Sequence, residues 1–462
     1  MSTAASPVAR ASAELRRTSY DIVDRADDGS TRQGFDAVSA LSVYLFLLLL
    51  IPSDRAVPGL GNLGAPAILW GFGCFLWWVW HVLSRRRSEV RVFTPVGVAA
   101  WAFFAAILLS YIFGMMRAIP VEEISPADRN LFRMLSFLGV ALVAANGIRT
   151  FGRLVALLRR FSVLAALVAL LGILEFVTET PLAASIPTPW LVGDGTGGAG
   201  MRGDFLRPAA TASHPLEYAM TLAVAFPVAL MLALRSRGRT RAVMLVSVGF
   251  IAMALIIAGS RSAILGLVIG VVPLLFTLGA RERLKAFIAG GAALVVVYVA
   301  VPGMIGTLRH LFQSAGSDTS VLSRTASLDV FSVLLPISPW TGRGLGTLLP
   351  QYRIFDNQYL LLLLELGVVG TVAFLALYVV AILSVVRCRT APPAISGLAV
   401  ALAASCLVAV ALSAFFDSFS FPKAFGLLAL MPGLCGGAWS ISERLPAAFA
   451  DHRIEETRDV RT

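Results

Sequence analysis

Between residues 353 and 370 the chain reads Arg353-Ile-Phe-Asp-Asn-Gln-Tyr-Leu-Leu-Leu-Leu-Leu-Glu-Leu-Gly-Val-Val-Gly370. A carboxylate and an amide, Asp356 and Asn357, stand at the mouth of a long apolar helix. That helix carries a further acid, Glu365, and two glycines, Gly367 and Gly370. Ionisable groups at a membrane boundary are costly to desolvate and by default mark functional sites. A carboxylate so placed can serve as general base to a hydroxyl. It can equally cap the helix, because Asp and Asn are favoured N-caps. Glu365 also has two readings, a substrate contact or an ion pair inside the bundle.

Arginines supply the complementary chemistry. Arg261, in Gly259-Ser-Arg-Ser-Ala-Ile-Leu-Gly266, interrupts two apolar runs with almost no loop. Arg202, Arg207, Arg309, Arg324, Arg343 and Arg353 fall in two long segments, 179–213 and 303–355. Guanidinium matches phosphate bidentately and keeps its charge when partly desolvated. Several at lipid level imply an anion, and the anion natural to that place is the pyrophosphate of a membrane-embedded lipid carrier. His214 and Glu217 open the helix after the first segment and read as pocket residues, or His214 as a cap. Arg343, among glycines, reads as a phosphate contact or as a loop anchor to carbonyls.

These residues need a scaffold, and composition identifies its class. The 462 residues are 57% hydrophobic and only 14% charged, against roughly 25% charged in soluble domains. The chain reads as an all-α polytopic membrane protein. Spans of ~20 apolar residues are expected near 36–52, 62–83, 95–117, 130–146, 152–178, 214–234, 241–259, 261–279, 285–302, 357–386, 397–415 and 419–441. Twelve spans put the short loops bearing Arg85–Arg87, Arg149 and Arg153, Arg235–Arg241, Arg281–Lys285, and Arg387 and Arg389 on one side. By the positive-inside rule that side is the cytoplasm, with both termini there and the acidic loop 121–128 outside. The net charge of +11 is therefore topological and gives no reason to expect nucleic acid. Residues 1–34 and 443–462 read as cytoplasmic tails and 35–442 as the transmembrane catalytic domain. Its external loops are 179–213 and 303–355, the latter between the ninth and tenth helices. Cys74, Cys388, Cys406 and Cys435 show no metal spacing, no Asp-x-Asp pair lies outside, and no metal or cofactor is expected. The glycine run 193–200 matches no phosphate-loop pattern and reads as a hinge or lid.

Four blocks in order resemble the O-antigen ligase and O-antigen/exopolysaccharide polymerase superfamily. They are Arg202-Gly-Asp-Phe with His214-Pro-Leu-Glu-Tyr-Ala219, Gly259–Gly266, Pro339-Trp-Thr-Gly-Arg-Gly-Leu-Gly346, and Asp356-Asn-Gln-Tyr-Leu with Glu365–Gly370. The resemblance implies a membrane-embedded, GT-C-like, inverting and metal-independent glycosyltransferase of the bacterial plasma membrane. Its donor would be an undecaprenyl-pyrophosphate-linked glycan, used on the external face with a second glycan as acceptor. Membrane lipids and other polysaccharide-assembly proteins would be its partners. Arg261 would hold the pyrophosphate. Asp356 would stand where relatives often have a histidine that activates the acceptor. Arg202, Arg207, His214, Glu217, Arg343, Arg353, Asn357 and Glu365 would line the substrate site. A polymerase is favoured over a ligase, which would move the glycan to a lipid, cell-wall or protein acceptor. A glycan transporter is the competing class, but it should show repeat symmetry and polar groups near the midplane. Here the polar blocks gather at one face and no repeat is evident.

Overall fold

The computed structural model describes residues 34–84, 94–193, 198, 200–202, 205–284, 287–288, 290–291, 319–390 and 393–459. Long apolar runs without a breaker become helices, since in lipid each backbone group must find its partner inside the segment. In chain order these are α1 (Ala37–Leu50), α2 (Pro66–Ser84), α3 (Pro95–Met116), α4 (Val121–Gly147), α5 (Phe151–Thr178), α6 (Pro215–Arg235), α7 (Gly238–Ile257) and α8 (Arg261–Leu275). After them come α9 (Thr319–Leu334), α10 (Gln358–Val386), α11 (Pro393–Leu412) and α12 (Pro422–Asp459). Among the described residues nine helices are long and apolar enough to cross a membrane, α2 to α7 and α10 to α12. Each expected span except the ninth corresponds to one of the helices named; 285–302 falls almost wholly outside the described residues. The protein is all-α and polytopic.

Two boundaries differ from expectation. The helix α12 runs on to Asp459, through most of the segment 443–462 expected as a tail. Val121–Asp128, expected as an acidic loop, is the start of α4. Glu122 and Glu123 occupy its first turn, where carboxylates face the positive end of the helix dipole.

Close packing fixes the helix directions. Gly266 and Gly270 of α8 sit against Ala223 and Pro227 of α6, and against Leu412 and Val408 of α11. Gly433 and Gly437 of α12 meet the backbone of Ala141 and Ala144 in α4, the small-residue contact by which membrane helices approach. Of the residues in their apolar windows, 94% are buried in α12 and 89% in α6, against 22% in α2. These two therefore form the interior, and α2 faces lipid. The N-termini of α4, α6, α8, α10 and α12 share one end of the bundle. The opposite end collects Arg149, Arg153, Arg235, Arg237, Arg239, Arg241, Arg281, Arg283 and Arg387.

The helix α10 is broken. At Gly367 the backbone turns to φ 67° and ψ −170°, and the glycine loop Pro339–Gly346 fills the gap. Arg343 N donates to Leu364 O (3.0 Å) and Gly344 N to Glu365 O (2.9 Å). In return Val368 N and Val369 N donate to Pro339 O (2.8 Å) and Trp340 O (3.1 Å). Ser110 Oγ of α3 adds a 2.7 Å bond to Glu365 O. Gly342 and Gly344 also have positive φ, 70° and 105°, and a Cβ on Gly342 or Gly367 would overlap the facing main chain.

Gly342→Ala and Gly367→Ala should each destabilise the protein by on the order of 3 kcal/mol, from positive-φ strain and displacement of the facing strand of chain. Gly249→Ala, which meets nothing within 4 Å, serves as control. Thermal unfolding in detergent measures all three. Equal melting temperatures would contradict the interlocked break.

Candidate functional site

The site is built on the chain turn that leads into α6. Glu175, buried near the end of α5, accepts hydrogen bonds from Ala183 N (3.1 Å), Ala209 N (3.3 Å) and Ala210 N (2.8 Å). Thr211 Oγ1 donates to Leu49 O at 2.6 Å, and Ser53 N donates to Thr211 O at 2.8 Å. A carboxylate with three amide donors holds residues 209–211 in one conformation, including Ala210 at φ 49°.

A second buried pair completes the turn. Glu217, fully buried, accepts from Ser213 N (2.8 Å), Ser213 Oγ (3.1 Å), Ser53 Oγ (3.1 Å) and Lys423 N (2.6 Å). The equally buried Lys423 ammonium donates to Ile51 O (3.1 Å), Ser53 Oγ (2.8 Å) and Thr211 O (2.5 Å). Both oxygens of the acid and all three protons of the base are used, which is what allows charge so deep in the fold. Together they tie the starts of α6 and α12 to the end of α1.

His214 stands on this support as the N-cap of α6. Its Nδ1 accepts from Leu216 N at 3.1 Å, leaving Nε2 to carry the proton of the neutral ring. Phe421 packs on the ring with centroids 5.8 Å apart. Burial pushes the imidazole below its ordinary value, and the charge of Arg207 acts in the same direction. Glu217 and Asp356 oppose them. Three expected site residues, Arg207, Glu217 and Asp356, thus lie within electrostatic reach of a fourth, His214. Arg207 ends the hairpin Gly200–Arg202/Phe205–Arg207, in which the Arg202 backbone pairs with Phe205.

Asp356 is half-buried. The cap of α10 is its neighbour: Asn357 Oδ1 accepts from Tyr359 N (2.9 Å) and Leu360 N (3.4 Å), so the capping role considered for Asp356 belongs to Asn357. Gln358 N donates to Ser413 O at 3.0 Å, and Gln358 Oε1 accepts from Phe419 N at 2.7 Å. The mouth of α10 is thereby fixed to the loop before α12. Arg261 opens α8 at the same end, half-buried beside Ser260 and Ser262, whose hydroxyls are 2.7 Å apart.

The other expected residues stand elsewhere. Arg343 pairs with the buried Glu123 at 3.3 Å, and Arg117 pairs with the same carboxylate. Glu365 accepts from Leu348 N at 3.2 Å, beside the charges of Asp417 and Arg343. Arg353 bonds Ser327 Oγ at 3.3 Å. Arg309 lies outside the described residues, as do the side chains of Arg202 and Arg324.

A cavity of about 530 Å³ opens beside His214, lined among others by Asp54, Asn62, Arg133, Ser420 and Phe421. Arg133 is buried. It donates to Phe419 O (2.6 Å) and Asn130 Oδ1 (3.1 Å), and lies 4.6 Å from the Phe425 ring centroid. Burial also raises Asp417, which accepts from Ser420 and feels the charge of Arg133. A two-residue antiparallel ladder, Arg55–Ala56 with Val192–Gly193, joins the α1–α2 loop to the α5–α6 segment at this cavity. Arg133, Glu175 and Lys423 are missing from the sequence-based site, although each lies inside an expected span, where charge is the signal.

Residues 246–375 match a family model described as O-antigen ligase. The match covers three of the four blocks that carry the resemblance and supports placing the chain in the O-antigen ligase and polymerase superfamily. No curated protein matches the chain.

His214 gives the site a pH signature. Unfolded chain takes up a proton near pH 6.5, whereas the buried ring does so only at lower pH. Its stabilising contribution is complete above about pH 6.5 and is lost as pH falls through the depressed native value. Melting temperature measured from pH 8 to 5 should fall less steeply for His214→Asn, which retains a capping oxygen. Parallel curves would contradict a neutral buried ring.

Proposed function

We propose that this chain, whose residues 246–375 match a family model described as O-antigen ligase, transfers a glycan from undecaprenyl pyrophosphate to a glycan acceptor. The observation that carries the reading is the juxtaposition of Arg207, His214 and Asp356 at the end of the bundle where α8 begins with Arg261. A base, a proton-bearing ring and guanidinium groups are what such a transfer needs.

In this reading Asp356 takes the proton of the acceptor hydroxyl as its oxygen attacks the anomeric carbon. The bond from that carbon to the pyrophosphate oxygen breaks with inversion, and the charge released stays on the lipid pyrophosphate. Arg261 and Arg207 stabilise that charge by preorganised ion pairing, which would make the transfer metal-independent. The cavity beside His214 receives sugar. Asn357 orients Asp356 by capping α10. Glu217 acts through His214, whose turn it anchors. Arg343 and Glu365 act through the break in α10. Residues 35–442 form the catalytic domain, and the site faces the outside of a bacterial plasma membrane. The arginine-rich end and both tails, 1–34 and 443–462, are cytoplasmic.

Asp356→Asn should abolish turnover while donor binding survives. Arg261→Lys should lose most activity, because an ammonium cannot reproduce the guanidinium fork. Purified protein with a defined lipid-linked oligosaccharide, and products separated by size, reads both. Full activity in either variant removes that residue from the mechanism.

Polymerisation is the preferred outcome, and the description of the matching family favours ligation as the second reading. A deletion strain separates them. Single lipid-linked repeat units should accumulate if the protein polymerises, and long unattached chains if it ligates. Accumulation of neither would reject both.

A further inference from the structure

At the opposite, arginine-rich end a second cavity of about 550 Å³ opens along α5, between α1 and α7. Its lining repeats one pattern on three helices. Ser42 is followed one turn later by Phe46 in α1, Arg160 by Leu164 in α5, and Arg239 by Val243 in α7. All three helices begin at this end. The polar residues therefore form a rim, and the apolar ones a floor about 6 Å deeper in the membrane. Arg159 adds a third guanidinium to the rim.

The rim carries three positive charges and no acidic lining residue. Asp36, at the start of α1, is engaged by Arg153 and Ser39. Arg160 donates to Ser42 Oγ at 2.6 Å, which holds its guanidinium over the groove. The floor is open sideways: Phe46 is 51% and Val243 42% exposed, so both meet the bilayer.

We propose that this groove binds an anionic glycerophospholipid, its phosphodiester on the arginine rim and its upper acyl chain on the Phe46–Leu164–Val243 floor. Guanidinium pairs bidentately with phosphate, and basic pockets between helices at a membrane interface select acidic headgroups. A hydrated free anion would use the rim alone, whereas a bilayer lipid uses rim and floor together.

Native mass spectrometry of the full-length protein, with phosphatidylglycerol or phosphatidylcholine supplied in the detergent, tests this. Wild type should retain phosphatidylglycerol adducts. The triple variant Arg159→Gln/Arg160→Gln/Arg239→Gln should bind them at least about tenfold more weakly. Val243→Trp keeps every charge, fills the floor and should also weaken binding, so it decides the matter if the triple variant does not fold. Equal retention of the two lipids, wild-type retention by either variant, or full displacement by excess inorganic phosphate would overturn the proposal.

Discussion

A helix in lipid cannot leave its backbone unpaired, and α10 breaks at Gly367 in the middle of a spanning run. Most of the site-bearing architecture follows from how that break is repaired. Four main-chain hydrogen bonds pass between the Pro339–Gly346 loop and the two halves of α10. Unpaired polar groups in hydrocarbon cost several kcal/mol each, so the loop cannot leave without destabilising the helix. This explains why Pro-Trp-Thr-Gly-Arg-Gly-Leu-Gly and Glu-Leu-Gly-Val-Val-Gly occur in one chain: they are the two faces of a single joint. Glycine is required on both faces because the backbones touch.

The other side of the site rests on buried charge. Glu175, Glu217 and Lys423 bring carboxylate and ammonium into the packed end of the bundle and spend nearly all their hydrogen-bonding capacity on loop backbone and hydroxyls. The result is a rigid turn from Ala209 to His214. Rigid loops at the end of a helical scaffold are a common basis for chemistry. Here rigidity comes from carboxylate acceptors more than from apolar packing.

Much of this was legible in the sequence, for identifiable reasons. Helix positions followed from apolar length, and the gathering of basic residues at one end followed from alternating loops. Arg207, His214 and Asp356 could be grouped because each stands at a helix or strand terminus, where chain order and topology fix which end it occupies. The start of α4 was misjudged because Glu122, Glu123 and Asp128 look like loop residues until Arg117 and Arg343 are seen around Glu123. The partners of Arg343 and Arg353 were hidden because they depend on tertiary packing. Lys423 and Glu175 were visible as charges within apolar runs, but their role as backbone clamps needed coordinates.

The half-helix Gln358–Leu366 has a mechanical consequence. It is nine residues long, about 13 Å at 1.5 Å per residue, with the Asn357 cap at one end and the glycine joint at the other. It behaves as a strut. Asp356 rides on its tip, so the height of that carboxylate is set by the seating of the joint rather than by the rest of α10. A shift of the Pro339–Gly346 loop along the axis would therefore load Asp356 through the strut, against the Gln358 bonds to Ser413 and Phe419 that hold the mouth, while the lower half of the helix stayed still.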